Sequence, residues 1–263
     1  NLPPKISDHL PFWNGTIKYS GSNKKTDVYK EQEVPKGKKF ILGTDNLGRS
    51  VAKRVMVGIR ISLLIAVVAT LIDLLIGVTY GLISGFIGGR TDTIMQRIIE
   101  VISSIPNLVI VTMLGLLLGN GVTAIIISIA IVGWTAMARQ VRNMTLSYKE
   151  RDFVLASRAL GESNLRIAFK HILPNISGII IVQIMMTVPS AIMYEAVLSA
   201  INLGVKPPTA SLGSLITDAQ EYLQYYPYQL IIPALALVFI SLAFILLGDG
   251  LRDAFDPKSN ADE

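Results

Sequence analysis

The sequence predicts an all-α polytopic membrane protein, on the grounds of its composition and of the length of its apolar runs. Of its 263 residues, 51% are hydrophobic and only 16% are charged, whereas about 25% of the residues of an average soluble domain are charged. Several apolar runs approach the roughly 20 residues that a helix needs to cross a bilayer. These runs must be helical, because a backbone that faces lipid has no water with which to form hydrogen bonds.

Five spans can be drawn along the chain. The second contains Pro106, and the third is short but within the roughly 17–25 residues that spans occupy. The stretch "GRSVAKRVMVGIR" precedes the first span and has the mixed basic and apolar character of an interfacial helix. We place the spans at 61–88, 98–119, 122–138, 176–201 and 230–248.

Glycines recur every four residues in the first span, at Gly77, Gly81 and Gly85. Four-residue spacing puts them on one face of a helix, where the missing side chains let another backbone approach closely. Glycine is also common in membrane helices in general. Three glycines in register nevertheless favour close packing at a subunit interface or inside the bundle.

Two acidic residues lie within predicted spans, Asp73 in the first and Glu195 near the outer end of the fourth. A charge in mid-membrane costs roughly 2.5–3.5 kcal/mol on insertion scales, so Asp73 should face protein or a wet cavity. It either lines a transport pathway or pairs structurally with another helix. Glu195 either contacts a substrate or anchors the following loop, 202–229.

The distribution of basic residues predicts the orientation. Loops 89–97, 139–175 and 249–263 hold most of the arginines and lysines near the spans, whereas the opposite side, after the first span, holds only Lys206. Basic loops stay in the cytoplasm. We therefore expect the 139–175 loop to be cytoplasmic.

This orientation divides the chain into three parts. We expect an extracellular segment at 1–50, a transmembrane domain at 51–250 that carries a cytoplasmic hairpin at 139–175, and a cytoplasmic tail at 251–263. Five spans and a cytoplasmic tail place Asn1 outside the cell. A further membrane helix is therefore expected to precede Asn1.

The 139–175 loop contains the stretch "LASRALGESNLRIAFKHILPN". It reads as two short helices, with Gly161 at the position of a left-handed C-cap. Ser163 or Asn164 can cap the second helix, and Pro174 is expected to limit it. The corner, Arg158–Glu162, is then exposed. The apolar residues of the loop lie too far from lipid to be buried there, so they need the protein's own helices or a docked partner.

Catalytic and metal-binding motifs are missing from the sequence. It has no cysteine and no Gly-x-x-x-x-Gly-Lys-Ser/Thr phosphate loop. Ser84 lies among glycines, but the two histidines, His9 and His171, lie outside the spans, so a serine hydrolase is disfavoured. His171 is expected to make a polar contact within the hairpin. We assign no catalytic residue and no metal ligand.

The hairpin resembles the cytoplasmic loop of importer-type ABC transporter permeases. That pattern reads Glu-Ala-Ala, three residues, Gly, nine residues and Ile-x-Leu-Pro. This chain has "LAS", Gly161 and "HILP", which replaces the Glu, the second Ala and the first Ile. The form "LASRALG…HILPN" is similar to the C-type permease of the dipeptide and oligopeptide branch. The resemblance covers about 42–257 and includes "LGTDNLGRSVAKRVMVGIRISL", "SIPNLV", "GWTAMARQVR", "LGVKPPTASLGSLI" and "LLGDGLRDAFDP".

The resemblance implies a type I ABC importer permease fold, with five visible spans of an expected six. It implies a non-catalytic subunit in the bacterial cell membrane that forms half of a peptide channel beside a second permease subunit. Its other partners would be two cytoplasmic nucleotide-binding subunits, which bind ATP and Mg, and an extracellular binding protein; the chain itself would bind no cofactor and no nucleic acid. Coupling to the ATPase would fall to Ala156, Ser157, Arg158, Ala159, Leu160, Gly161, Glu162 and Pro174.

Two alternatives remain open on the sequence. A permease of the same fold can carry nickel or glutathione, although the lack of cysteine and of membrane histidine disfavours direct handling of a metal. An ATP-independent channel or carrier belongs to a different class, and it would need no cytoplasmic docking hairpin.

Overall fold

The computed structural model describes residues 16–18, 25–27, 40–45, 47–119 and 121–255. Most of the predicted extracellular segment and the end of the predicted tail, 256–263, lie outside these residues. In the described part of 1–50, β1 (Thr16–Lys18) pairs antiparallel with β2 (Lys25–Asp27). From residue 51 onward, the described residues are predominantly helical, which confirms the predicted fold class.

The helices follow one another with short connections. Within the described residues, four stretches are long and apolar enough to cross a membrane, and the pair α2 and α3 makes a fifth if it is counted as one bent span. The elements are α1 (Val51–Ile87), α2 (Gly89–Ser104), α3 (Asn107–Leu118), α4 (Val122–Tyr148), α5 (Asp152–Ala159), α6 (Asn164–Ile167), a π-helical turn (Ala168–Ile172), α7 (Leu173–Ala200), α8 (Leu212–Gln220) and α9 (Tyr228–Phe255).

The second predicted span, 98–119, differs from a continuous helix. It is broken between α2 and α3, whose axes are bent by 75° at Ile105 and Pro106. Proline has no backbone N–H and disfavours a helical conformation in the residue before it. Ile105 is accordingly extended, with φ −79° and ψ 124°.

Helix α1 is longer than its predicted span, because the basic stretch before that span continues into it without a break. The helix has 37 residues, which makes it about 55 Å long at 1.5 Å per residue. The hydrocarbon core of a bilayer is only about 30 Å thick. Part of α1 must therefore project beyond the hydrocarbon.

The chain forms two compact units, one within Asn1–Ser62 and Glu195–Phe239 and the other within Leu63–Tyr194 and Ile240–Glu263. The predicted boundaries at residues 50 and 250 concern the side of the membrane, which these contacts do not measure. Those boundaries therefore stay a prediction.

In the first unit, Asp45 holds the loop before α1 in place. Its Oδ1 accepts hydrogen bonds from the backbone N–H groups of Leu47 and Arg49. Its Oδ2 accepts from Arg49 Nε at 2.7 Å and from Arg54 Nη1 at 2.9 Å. Arg54 also reaches Asp218 of α8 at 3.3 Å. The acidic residue of the "LGTDNLGRS" stretch thus has a structural role.

In the second unit, the glycine ridge of α1 lies against α4, as its spacing predicts. A Cβ atom added at Gly77 would lie 2.6 Å from the Met137 Cβ, and one at Gly81 would lie 2.5 Å from the Ala138 carbonyl oxygen. One at Gly85 would lie 2.8 Å from the Thr145 Cβ. All three distances are shorter than ordinary contacts. The ridge therefore packs inside the bundle.

We expect Gly81→Leu to destabilise the protein by at least about 2 kcal/mol, because the new side chain would meet the backbone of α4. Thermal unfolding of the detergent-solubilised protein measures the effect. Gly250→Leu is the matched control, since no atom lies within 4 Å of a Cβ at that position. Equal melting temperatures for the two variants would contradict the packing role of the ridge.

Candidate functional site

The 152–172 hairpin, formed by α5, the following turn, α6 and the π-helical turn, has a hydrogen-bonded corner. Gly161 takes the left-handed conformation with φ +81°, as predicted. Its N–H donates to the Arg158 carbonyl at 3.0 Å, and the Glu162 N–H donates to the Ser157 carbonyl at 3.2 Å. These two bonds form a Schellman motif, which satisfies the last carbonyls of α5.

The second arm of the hairpin is fastened to the corner by side chains. The Nε2 atom of His171 lies 2.7 Å from Glu162 Oε2, which confirms the predicted polar contact of this histidine. Ser163 occupies the N-cap position of α6 with an extended backbone, but its side chain makes no capping hydrogen bond. The contact between Glu162 and His171 therefore joins the start of this arm to its far end.

The expectation that Pro174 limits the second helix is wrong. Helical structure continues from Asn164 to Ala200, and the π-helical turn lies immediately before the proline. In that turn, the Leu173 N–H donates to Ala168, five residues back. A π turn shifts the hydrogen-bond pattern by one residue, which accommodates the N–H that proline lacks. The hairpin is therefore joined to α7 without a break.

The hairpin has a buried inner face. Val154, Ile167 and Ile172 are fully buried and belong to one apolar core with Phe86 of α1 and Val141 of α4. This burial holds both arms against the helices of the second unit. Some apolar residues of the 139–175 loop are therefore buried against the protein's own helices.

The outer face of the hairpin carries exposed apolar side chains among basic ones. Leu160 at the corner is 88% exposed, and Leu155 and Leu165 are 47% and 56% exposed. Of the residues predicted to couple to a partner, Ser157 and Glu162 are half-buried, and the others are exposed: Ala156, Arg158, Ala159, Leu160, Gly161 and Pro174.

The guanidinium of Arg158 covers part of the core below the corner. Its Cζ atom lies 5.4 Å from the centre of the Phe86 ring, a distance typical of a cation–π contact. The charged corner is thereby connected to the end of α1. A displacement of the corner would have to disturb this contact or carry Phe86 with it.

An ion pair that sequence reasoning missed fixes the end of α4 close to the hairpin. Arg142 Nε and Nη2 donate to the two carboxylate oxygens of Asp92 at 2.6 and 2.5 Å. Ser84 Oγ also donates to Asp92 Oδ1, at 2.5 Å. Asp92 is thus bound by groups from α1 and α4 while it sits in the first turn of α2. The spacing of 50 residues between Asp92 and Arg142 offers no sequence signal.

Asp73 borders a cavity of about 440 Å³ within the second unit. Its side chain is buried against α4, where a Cβ atom added at Gly133 would overlap Asp73 Oδ2. Asp73 Oδ1 has no hydrogen-bond partner. The sequence left two interpretations of Asp73, a pathway-lining group or a structural partner of another helix. No structural partner is present at Oδ1.

Glu195 is fully buried and lies at the centre of a hydroxyl network in the first unit. Its Oε1 accepts from Ser199 Oγ at 2.8 Å and from Ser211 Oγ at 2.6 Å, and its Oε2 accepts from Ser62 Oγ at 3.1 Å. Ser211 in turn caps α8, since it accepts from the Ser214 N–H. These contacts favour the anchoring interpretation over contact with substrate.

The remaining polar features of the sequence are local. Arg97 and Glu100 pair on the surface of α2 at 2.6 Å, as expected of opposite charges three residues apart on a helix. In the described ranges, no group of three or more His, Cys, Asp or Glu side chains has the arrangement of a metal site.

Comparison with known proteins places the chain in a family. Residues 77–260 match the model of the binding-protein-dependent transport system inner membrane component. The dipeptide transport system permease protein DppC of Lactococcus lactis subsp. cremoris (strain MG1363) is 67% identical over 100% of this chain and 76% of its own length. The oligopeptide transport system permease protein OppC of Bacillus subtilis (strain 168) is 48% identical over 86% of this chain and 74% of its own.

Solved structures resemble the chain in fold. An inward-facing structure of the MetNI methionine ABC transporter, in its CY5 native crystal form, superposes with a TM-score of 0.66 at 19% identity. The match covers 78% of this chain and 97% of that chain. At this identity the likeness concerns the fold alone, and it agrees with the type I importer architecture expected from the sequence.

We expect Glu195→Ala to destabilise the protein by about 2–4 kcal/mol, because three buried hydroxyl groups lose their acceptor. Thermal unfolding is again the measurement. Glu100→Ala serves as the control, since it removes only an exposed ion pair, worth about 1 kcal/mol or less. An equally small loss at Glu195 would contradict its anchoring role.

Proposed function

Because the chain belongs to the binding-protein-dependent transport system inner membrane component family and is an ABC peptide importer permease, we propose that it forms half of the translocation channel of an ATP-driven importer. The proposed cargo is a dipeptide or an oligopeptide. The names of the relatives DppC and OppC support this choice, since they describe dipeptide and oligopeptide transport.

One observation carries the proposed coupling to an ATPase: the 152–172 hairpin is anchored on one face and presents exposed apolar side chains, among basic ones, on the other. Leu160 at the corner has 88% of its surface exposed, and Leu155 on the same arm is 47% exposed. Exposed apolar side chains of this kind are suited to contact a partner protein. A short helix that presents them fits the groove of a partner protein. The proposed partner is a cytoplasmic nucleotide-binding subunit.

The hairpin can transmit force in both of its arms. Its second arm continues into the helical run Asn164–Ala200, and its first arm follows α4 after the three-residue turn 149–151. Closure of two nucleotide-binding subunits on ATP would move the Arg158–Glu162 corner, tilt the attached spans and change the side to which the channel opens. This scheme requires that the two states of the partner bind the hairpin differently.

The other proposed partners follow from the family and from the exposed apolar surface. Only 11% of the most apolar window of α9 is buried, which leaves that helix to contact lipid or a second permease subunit in a heterodimer. An extracellular binding protein would deliver the peptide. ATP and Mg would bind to the nucleotide-binding subunits, with no catalysis by this chain, and the complex would lie in the bacterial cell membrane.

We expect Gly161→Leu to uncouple ATP hydrolysis from uptake, because it distorts the left-handed corner and enlarges the surface that meets the partner. Uptake of a labelled dipeptide should fall by roughly tenfold or more, the effect of about 1.4 kcal/mol, while the complex still hydrolyses ATP. Both rates are measured on the complete complex in proteoliposomes.

Gly119→Leu is the control for backbone strain. Gly119 also has a positive φ, +77°, and open space where a Cβ would stand, but it lies outside the hairpin. Normal coupled uptake by the Gly161 variant, or the same defect in both variants, would refute the proposed coupling role.

We expect Leu160→Asp to weaken the association of the ATPase subunits without unfolding the permease, because this side chain is almost wholly exposed. The amount of nucleotide-binding subunit that co-purifies with the permease measures the association. Leu160→Met keeps the apolar surface and should retain the partner. Full retention of the partner by the Asp variant would count against docking at the corner.

A further inference from the structure

A polar stripe runs along one face of α7 beside the cavity that Asp73 borders. Gln183, Thr187, Ser190 and Tyr194 follow one another at spacings of four, three and four residues, which places them on one side of a helix. All four line the cavity, whose volume is about 440 Å³. Binding pockets for small molecules measure about 300–1,000 Å³. The cavity is therefore large enough for part of a peptide.

The groups that border the cavity lack a counter-charge for Asp73. Asp73 is only 2% exposed, and its Oδ1 has no hydrogen-bond partner. The hydroxyl of Tyr194 is likewise buried without a partner. The described residues that line the cavity include no arginine, lysine or histidine. A carboxylate in a membrane helix normally meets a cation or a wet pathway.

The hydroxyl groups of Thr187 and Ser190 leave only acceptors for a ligand. Thr187 Oγ1 donates its proton to the Gln183 carbonyl at 2.8 Å, and Ser190 Oγ donates its proton to the Met186 carbonyl at 3.0 Å. A hydroxyl has one proton and two lone pairs. Each of these oxygens therefore has lone pairs left to accept a hydrogen bond. Together with Asp73, they make the cavity rich in acceptors.

We propose that this cavity binds an ammonium group, namely the free amino terminus of a peptide in passage, with Asp73 as its counter-charge. An ammonium group has three donors and no acceptor, which complements the groups described above, and a peptide amino terminus is mostly cationic at neutral pH. The inference rests on the proposed function, because it identifies the passing ligand as a peptide.

Gly133 makes the position of the carboxylate possible. Both oxygens of Asp73 lie within 2.7 Å of the point where a Cβ at Gly133 would stand. A methyl group at that point would push the carboxylate out of its present place. The amino-terminus subsite therefore depends on one residue from each of two helices, α1 and α4.

The test measures peptide binding to the complete transporter complex in detergent, prepared without the extracellular binding protein. Labelled trialanine and N-acetyl-trialanine are compared by equilibrium dialysis. We expect Asp73→Asn to weaken trialanine binding by roughly tenfold or more, because a charge-assisted contact is lost. Binding of N-acetyl-trialanine, which has no ammonium group, should stay unchanged.

Gly133→Ala tests the same site without altering the carboxylate itself. It should reduce the preference for trialanine over its acetylated form. Gly121→Ala is the matched control next to α4, because no atom lies within 4 Å of a Cβ there. Assembly of the variant complexes, followed by size-exclusion chromatography, checks that each variant folds.

Several outcomes would overturn the inference. The first two are that Asp73→Asn leaves trialanine binding unchanged, or that it weakens the binding of both peptides equally. A third is that trialanine does not bind to the unaltered complex. A fourth is that sodium chloride displaces trialanine while choline chloride of equal ionic strength does not, which would indicate an inorganic-cation site. ATP-dependent uptake by the unaltered complex is measured in parallel in proteoliposomes, with the extracellular binding protein added. If uptake is normal, only the subsite fails; if no peptide is taken up, the proposed function fails.

Discussion

The close approach of α1 and α4 is the contact on which the second unit depends. Gly77, Gly81 and Gly85 bring the backbones together, and the same four-residue step leads back to Asp73. At that position the space is provided by the partner helix, through Gly133. One line of contact therefore both packs the bundle and buries an acidic group beside a cavity. In a membrane, where lipid is as apolar as the side chains, such close packing replaces the hydrophobic effect as the force between helices.

The same pair of helices supports the hairpin. Phe86 at the end of α1 and Val141 of α4 form the core on which both arms of the hairpin rest. The bidentate ion pair between Arg142 and Asp92 fixes that end of α4 to α2. The apolar core and the ion pair therefore both oppose local deformation when a force acts on the exposed corner. The proposed coupling rests on burial of the inner face and exposure of the outer face.

Two buried carboxylates illustrate how the surroundings separate structural from functional candidates. Glu195 accepts hydrogen bonds from three serine hydroxyls, so both of its carboxyl oxygens have partners inside the first unit. Asp73 has an oxygen without a partner and borders a polar cavity. The first arrangement stabilises the fold around α8. The second leaves an acidic oxygen without a partner beside a cavity, which is why Asp73 and not Glu195 carries the further inference.

The sequence by itself determined the helical membrane class, the glycine-lined face of α1 and the left-handed corner at Gly161, because all three depend on local composition or spacing. It also carried the family resemblance. Only the tertiary structure decided the remote partners of the acidic residues, since Ser62 and Ser211 beside Glu195 and the arginine beside Asp92 are distant in sequence. It likewise decided the fate of the prolines: Pro106 breaks a span, whereas a π-helical turn carries the helix through Pro174. Local propensity is the same for both, and the surrounding hydrogen bonds make the difference.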